Sequence, residues 1–471
     1  MASRWWNSPL RGCDPPYTFQ RGTGTVRHPC PHTGGALISQ SSAFARTWPT
    51  LLVLAVLVLL PIGRSAELPL AVGAVAGIVL VLRGHLDFGD AGLRLACTLF
   101  ACYWLAALVS GVAAVEPGRT WSTIGVTLRF LPFALFACWA LRDAATWPRL
   151  AGAAAAVVVL WMLDAYVQIA FGHSLGGAAE AERVSGIFGA GNLKLGPVLA
   201  TVSPFLLLAA RQRFGRRGLV LAAASLVAPA LLSGSRAAWV AYALVCILLA
   251  WHETRRPRLF LAVVAAFALG VAAVAAWALH DSTRFGARVE RTLLVLQGTE
   301  AALDEASAGR ISIWRTALAM GAAHPLTGVG VRGFRYDYPE HAAADDRFVA
   351  QAGGKLGAAH AHQIVLEVWS ETGVTGLLLW LLGAGLALRA WWRADAAARE
   401  RARAPALALV AMTFPLNTHL AFYSAWWGLL FWWLLALYCA ALGAYSGMGE
   451  ESERLKHGAH RAHGEMREPS P

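Results

Sequence analysis

The sequence predicts an all-α polytopic membrane protein, and two observations on composition and hydropathy support this class. Of the 471 residues, 57% are hydrophobic and 14% are charged, whereas soluble proteins carry about 25% charged residues. The mean hydropathy is +0.50. Apolar runs of roughly 17 to 25 residues, long enough to cross a bilayer as helices, recur along the chain.

The apolar runs predict about 12 transmembrane helices. Helices 1–9 fall within residues 47–279, and helices 10–12 fall within residues 362–446. The first two runs are short, and the two runs around residue 234 also fit one long block with a break. The runs lie near 47–63, 68–83, 94–115, 121–141, 149–171, 192–210, 218–234, 237–251, 259–279, 363–388, 404–422 and 425–446.

Three segments outside the runs complete the predicted domain organisation. Residues 1–46 are polar and lack the apolar core of a secretory signal, so we expect a disordered cytoplasmic extension. Residues 280–361 form one large loop, which we expect to be mainly helical. Residues 447–471 form a cytoplasmic tail, whose histidines we interpret as solvated. No cysteine lies in the large loop, so no disulfide framework is predicted there.

Arginine clusters in short connections indicate the orientation of the chain. By the positive-inside rule they face the cytoplasm, which puts the large loop on the periplasmic side. The net charge of +12 is therefore mainly a topology signal, and it does not predict a nucleic-acid partner. The clusters are Arg211, Arg213, Arg216 and Arg217, then Arg255, Arg256 and Arg258, then Arg389, Arg393, Arg399, Arg401 and Arg403.

The large loop contains one predicted helix and one glycine-rich string. Residues 309–320 have the apolar spacing of an amphipathic helix, with Ile311, Trp314 and Leu318 on one face. The His324-Pro325 pair ends that helix. The G-x-G-x-x-G string that follows does not come after a strand, as a dinucleotide-binding turn must, so we interpret its glycines as turn residues.

His362 lies where the polar loop re-enters an apolar run, and its imidazole is suited to moving a proton near neutral pH. A histidine in such a place is more often a hydrogen-bonded residue of the membrane interface. His360 adds another interpretation, in which the two histidines form a metal site with Asp345, Asp346 or His341. Alternating histidines chelate zinc from an extended segment but point to different faces of a helix. The residues alone leave these roles open.

Four motifs, taken in order, resemble the O-antigen ligase family. The resemblance covers roughly residues 180–385 and implies a GT-C-like membrane glycosyltransferase, which moves a glycan from undecaprenyl diphosphate to lipid A core. O-antigen polymerases and protein O-oligosaccharyltransferases share much of the pattern, although Gln363 fits the ligase form better. The motifs are Leu232-Ser-Gly-Ser-Arg-Ala-Ala-Trp239, Arg310 to Trp314, His324-Pro-Leu-Thr-Gly-Val-Gly330, and His362-Gln-x-x-Leu366-x6-Gly373.

The resemblance implies a role for each candidate site residue. His362 is the general base that takes a proton from the acceptor hydroxyl, with inversion at the anomeric carbon. The donor diphosphate is bound by guanidinium groups, which hold phosphate oxygens in bidentate fashion; these belong to Arg236, Arg310 and Arg183. His360, as a rival base, and Lys194, as a phosphate contact, are secondary candidates. No metal and no cofactor are implied.

Simpler structural roles stay open for the cations. Arg236 and Lys194 can extend towards the lipid headgroups, and Arg310 can cap its helix within a surface ion pair. Asp164, in the fifth predicted span, is expected to pair with one of the cations.

The implied partners are an undecaprenyl-diphosphate-linked glycan, lipid A core and membrane lipids. The implied location is the bacterial inner membrane, where the protein is a multi-pass monomer with its active site facing the periplasm. A secondary transporter is the alternative of a different class, because 12 spans with cytoplasmic ends also suit one. The candidate residues favour the enzyme, since they cluster at one surface instead of at the membrane midplane.

Overall fold

The computed structural model describes residues 35–178, 183–281, 286, 289–291, 293–418 and 421–444. The chain divides into two units, Met1–Thr47 and Trp48–Pro471. The described part of the first unit is the beginning of helix α1 (Gly35–Leu59), and all elements after α1 belong to the second unit. Most of the predicted N-terminal extension and all of the predicted tail lie outside the described residues.

The described elements are almost entirely helical, as predicted. A two-stranded antiparallel hairpin, β1 (His173–Ser174) and β2 (Gly177–Ala178), pairs His173 with Ala178. The remaining helices are α2 (Glu67–Leu82), α3 (Ala91–Ser110), α4 (Pro117–Thr127), α5 (Phe130–Ala140), α6 (Trp147–Phe171), α7 (Leu195–Leu232), α8 (Arg236–Thr254), α9 (Pro257–Asp281), α10 (Glu300–Ser307), α11 (Arg310–Ala323), α12 (Phe334–His341), α13 (Arg347–Gln351), α14 (Ile364–Arg393), α15 (Ala396–Thr413) and α16 (Ala425–Gly443).

Eight helical stretches among the described residues are long and apolar enough to cross a membrane. This confirms the all-α polytopic class, whereas the count of 12 spans stays a prediction. The first two predicted runs form shorter helices, Thr47–Leu59 and Glu67–Leu82. The runs 192–210 and 218–234 lie on either side of Gly215 within α7. At this residue φ is 70° and ψ is −158°, so α7 consists of two helices joined at a sharp kink.

The core surrounds α16, which packs against α3, α5 and α15. Trp432 and Trp433 of this helix are fully buried. The ring of Trp432 stacks on Phe130 with centroids 5.9 Å apart, and Nε1 of Trp433 donates to the carbonyl of Val53 at 2.8 Å. In contrast, none of the span residues of α9 is buried within the protein, as expected of a helix whose apolar surface faces lipid.

The large loop is mainly helical and has a small core of its own. This core is formed by Ile313, Ala317, Met320, Val329, Phe334, Tyr338, Ala358 and Ala361. Helix α11 begins and ends close to the prediction, with His324 just after its last residue. The predicted apolar face is correct only in part. Trp314 packs against this core, but α11 contacts α14 and α12 with Ile313 and Ala317 buried, and Leu318 is 54% exposed.

The glycine-rich string forms turns, as predicted, and joins the loop to α14. Gly328 and Gly330 have φ of 63° and 89°, a region that favours glycine. The N–H of Gly330 donates to the carbonyl of Glu371 at 3.0 Å. A Cβ at Gly328 would approach the backbone of Glu371 too closely, so the contact between loop and helix requires glycine there.

Candidate active site

His362 lies two residues before α14 and has a backbone φ of 54°, a conformation that few residues other than glycine adopt. Its Nδ1 lies 3.0 Å from the carbonyl oxygen of Thr418. Because a carbonyl oxygen can only accept, we assign the proton to Nδ1, which leaves Nε2 unprotonated. The imidazole therefore offers the lone pair that a general base requires.

The surroundings of His362 keep its imidazole neutral. Burial lowers the pKa of His362 to about 4, the charge of Arg310 acts in the same direction, and the hydrogen bond with Thr418 opposes both. The residue retains some contact with solvent, although protein atoms surround most of its ring. At neutral pH the side chain is ready to accept a proton.

His360 lies directly against His362, as its predicted secondary role requires. The two ring centroids are 3.9 Å apart, and the planes are inclined at 44°. His360 therefore covers part of the His362 ring and restricts the access of water to it. The carbonyl contact that fixes the tautomer belongs to His362, which favours His362 as the base.

Arg310 and Arg236 lie next to each other at the starts of two helices. Arg310 is the first residue of α11, and its N–H donates to the hydroxyl of Ser307 at 3.1 Å. Burial lowers the pKa of Arg310 to about 10, and the charge of Arg236 contributes to the shift. Nη1 of Arg236, the first residue of α8, donates to the carbonyl of Ala306 just before Arg310's helix. Both guanidinium groups stay charged at neutral pH.

Arg183 joins this group of cations. The segment after Arg183 is attached to the end of α7, where the N–H of Val184 donates to the carbonyl of Leu232 at 3.1 Å. Arg236 interacts electrostatically with Arg183, Arg291 and Glu305. The fold therefore gathers Arg183, Arg236 and Arg310, which are 53 and 74 positions apart along the sequence, into one positively charged cluster beside His362.

Lys194 lies at the start of α7, near the same cluster. Its Nζ lies 4.3 Å from the ring centroid of Trp426, a cation–π distance, and burial lowers its pKa. Two residues later, a Cβ on Gly196 would collide with Ser233, which ends α7. This close approach brings the two ends of α7 together, so Lys194 lies beside the segment that leads to Arg236.

Asp164 has a different partner from the predicted cation. The residue is 5% exposed, and its Oδ1 accepts a hydrogen bond from the N–H of Leu175 at 2.7 Å. Asp164 thus holds the hairpin after α6 in place. This hairpin precedes the segment of Arg183, so the effect of Asp164 on the cluster is indirect.

Within the described part of the chain, His360 and His362 do not form a three-ligand group with Asp345, Asp346 or His341. Among the described residues, one group of three potential metal ligands is close enough to share an ion, and it consists of His324, Asp337 and His341. Asp346 has other partners, because its Oδ2 accepts a hydrogen bond from the hydroxyl of Tyr338 at 3.0 Å.

The predicted cytoplasmic arginine clusters lie at the opposite end of α8 from Arg236. Arg211 and Arg216 pair with Glu253 at 2.9 and 3.3 Å, and Gln212 lies 3.4 Å from Glu400. The bend of α7, the end of α8 and the start of α15 therefore meet. Helix α8 has 19 residues and a length of about 27 Å, which separates the two charged regions by most of a bilayer.

Comparison with known families identifies the segment that carries most of this site. Residues 220–381 match the family model described as O-antigen ligase. The segment belongs to the O-antigen ligase family. In this O-antigen ligase segment lie Arg236, Arg310, His360 and His362, whereas Arg183 and Lys194 precede it. No curated protein matches the chain.

Two buried carboxylates of the O-antigen ligase segment were not predicted as part of the site. Glu367 and Glu371 are one turn apart on α14, and both are fully buried. Glu367 accepts a hydrogen bond from the N–H of Tyr423 at 3.3 Å, and Glu371 accepts one from the N–H of Arg332 at 2.8 Å. Glu367 thereby anchors the loop that carries Thr418. Two acidic residues in an apolar run are a signal that sequence analysis could have used.

Proposed function

We propose that the protein is an O-antigen ligase that transfers a glycan from undecaprenyl diphosphate to a sugar hydroxyl of lipid A core, with inversion and without a metal in the reaction. One observation carries this proposal: His362, whose Nδ1 contacts the carbonyl oxygen of Thr418, lies beside Arg310, which belongs to the cluster of Arg183, Arg236 and Arg310. A base next to several permanent cations suits the attack of a hydroxyl group on a sugar diphosphate.

In the proposed reaction, the acceptor hydroxyl donates its proton to Nε2 of His362 as its oxygen attacks the anomeric carbon. The bond from that carbon to the diphosphate oxygen breaks on the opposite face, which inverts the configuration. The leaving diphosphate gains negative charge, and the guanidinium groups of Arg236 and Arg310 stabilise it. The carbonyl of Thr418 accepts from Nδ1 and stabilises the imidazolium that forms.

Binding of the donor also adjusts the basicity of His362. Without substrate, the charge of Arg310 contributes to the low pKa of this imidazole. A bound diphosphate carries negative charge next to the same arginine and offsets that effect. The pKa of His362 therefore rises in the complex, towards the range in which a base is most effective.

The arrangement of charges supports the proposed location in the bacterial inner membrane. The arginine-rich connections and the candidate site lie at opposite ends of α8, about 27 Å apart. Since arginine-rich connections face the cytoplasm, the site faces the periplasm in this proposal. Undecaprenyl-linked glycan and lipid A core would meet there as the two substrates.

The test is a transfer assay with the purified 471-residue chain in lipid nanodiscs. It is given an undecaprenyl-diphosphate-linked glycan and lipid A core, and the products are separated on a lipopolysaccharide gel. We expect capping of the core, and a loss of about 10²–10⁴-fold in rate with His362→Ala. His173→Ala, at an exposed histidine in the β1 strand, is the matched control and should retain the activity.

Each other outcome points to a different function. Lengthening of the glycan without capping would indicate an O-antigen polymerase, and transfer to a peptide would indicate a protein O-oligosaccharyltransferase. In sealed proteoliposomes containing the same protein, movement of the donor across the bilayer without covalent transfer would indicate a transporter. Full core capping by the His362→Ala variant would contradict the role of His362 as the base.

A further inference from the structure

A cluster of two imidazoles and one carboxylate lies at the end of α11 that is remote from Arg310. His324 follows the last residue of α11, and Asp337 and His341 are one turn apart on α12. One ligand atom from each residue lies within 4.8 Å of the others. The 14 residues of α11 separate the cluster from Arg310 by about 20 Å, so it is distinct from the proposed transfer site.

The distances within the cluster suit a shared metal ion. Nε2 of His341 lies 3.0 Å from Oδ2 of Asp337, and Nε2 of His324 lies 3.9 Å from Oδ1 of Asp337. Nitrogen and oxygen ligands about 2.0–2.1 Å from a tetrahedral Zn²⁺ are about 3.3 Å from one another. The two measured distances bracket that value, so small side-chain rotations would complete the geometry.

The environment of Asp337 also favours a cation. Its side chain is 3% exposed, whereas those of His324 and His341 are 34% and 21% exposed. The two imidazoles are polar partners of this buried carboxylate, with Nε2 of His341 3.0 Å from Oδ2 and Nε2 of His324 3.9 Å from Oδ1. A buried carboxylate is stabilised by a positive charge placed among such ligands.

We propose that His324, Asp337 and His341 bind a divalent first-row transition ion, with water as a fourth ligand. Two imidazoles and a carboxylate are a common ligand set for such ions. The exposed edges of the two histidines give the ion access from solvent. Because the length of α11 separates the site from Arg310, the ion has a structural role and takes no part in glycan transfer.

The bound ion would fix the large loop onto α14. It joins the end of α11 to α12, and the chain between them is itself attached to α14. The N–H of Val374 donates to the carbonyl of Pro325 at 2.8 Å, and the N–H of Val329 donates to the carbonyl of Ser370 at 2.9 Å. Metal binding therefore stabilises the helical loop that carries Arg310 and is measurable without any transfer assay.

The experiment measures Zn²⁺ binding to the purified chain, prepared without a polyhistidine tag and stripped with a chelator. Tail histidines that would bind metal independently are first replaced through His457→Ala, His460→Ala and His463→Ala. In this background we expect one Zn²⁺ per chain and a rise in Tm on adding ZnCl₂. A Co²⁺-loaded sample should show the visible absorption of a four-coordinate site.

Two substitutions and one control decide the outcome. Asp337→Asn preserves the shape of the side chain, and His341→Ala removes one imidazole; each should weaken Zn²⁺ binding by about 100-fold or more, because even outer-shell changes cost about 10–100-fold. His173→Ala should leave binding unchanged. If His341→Ala fails to fold, Asp337→Asn decides. Absence of binding in the background protein, or unchanged binding in Asp337→Asn, would overturn the proposal.

Discussion

Lowering the pH provides a quantitative test of His362 as the catalytic base. A base acts in its unprotonated form, so activity falls as the pH drops through its pKa. With a pKa of about 4, about 97% of the imidazole is neutral at pH 5.5, compared with about 9% for an ordinary histidine of pKa about 6.5. We therefore expect kcat/KM, which reports the free enzyme, to be nearly the same at pH 5.5 and pH 7.5.

The same experiment tests the effect of the donor on His362. Since a bound diphosphate offsets the charge of Arg310, the acid limb of kcat, which reports the substrate complex, should lie at higher pH than the limb of kcat/KM. A diphosphate substituted on both phosphorus atoms has only strongly acidic hydroxyls, so the substrate itself does not titrate in this range. The separation of the two limbs then measures the electrostatic coupling.

The assay follows initial rates of core capping between pH 4.5 and pH 8. Samples held at each pH and returned to pH 7.5 show whether the loss of activity is reversible. The His173→Ala variant should give the same profile as the unsubstituted protein. A tenfold decrease in kcat/KM between pH 7.5 and pH 5.5 would refute a buried His362 next to Arg310 as the base.

Three further predictions concern binding, positioning and stability. Arg310→Gln should lower kcat/KM by at least about tenfold. Arg310→Lys should retain only part of the original kcat/KM, because lysine cannot bind phosphate in bidentate fashion. Equal kcat/KM values for the two variants would contradict a contact between Arg310 and the diphosphate. Glu367→Ala should lower kcat with little change in KM, because the loop that orients His362 loses its anchor. Glu367→Gln keeps an acceptor oxygen and should recover most of the rate. A change in KM alone would argue against a role of Glu367 in positioning His362. Gly373→Ala should lower the free energy of unfolding by about 1–2 kcal/mol or more, because φ is 64° there and a Cβ would lie 2.5 Å from the carbonyl carbon of Leu326. Gly385→Ala, with open space around its Cβ, is the control, and equal Tm values for the two variants would contradict the predicted strain at Gly373.

Hydropathy predicts the positions of the helices well, but not which side of a helix is buried. Each predicted apolar run overlaps a helix, because apolar composition and helix formation are properties of a local segment. The two runs within α7 are separated at Gly215, whose non-helical backbone, with a φ of 70°, ends one helix before the next begins. For α11, the residue pattern predicts the helix but not its buried face, which is decided by the contacts with α12 and α14.

The residue types of the site were also recognisable in the sequence, whereas its supporting residues were not. His362 and Arg310 stand in motifs that resemble those of a known family. Glu367 lies in an apolar run, and its function depends on the N–H of Tyr423, 56 positions later. The cluster of His324, Asp337 and His341 likewise depends on how α12 folds back towards the end of α11. Neither residue spacing nor hydropathy predicts that direction.

The sequence by itself determined the membrane class, the helical content, the segregation of arginines and the chemical character of the candidate residues. These follow from the polarity and chemistry of individual segments. Only the tertiary structure decided that Arg183, Arg236 and Arg310 meet beside His362. It also decided that the carbonyl of Thr418 fixes the tautomer and that burial lowers the pKa of the imidazole. Such features depend on contacts between residues distant in the chain, as with Arg236 and Ala306, 70 positions apart, and on the exclusion of water that those contacts produce.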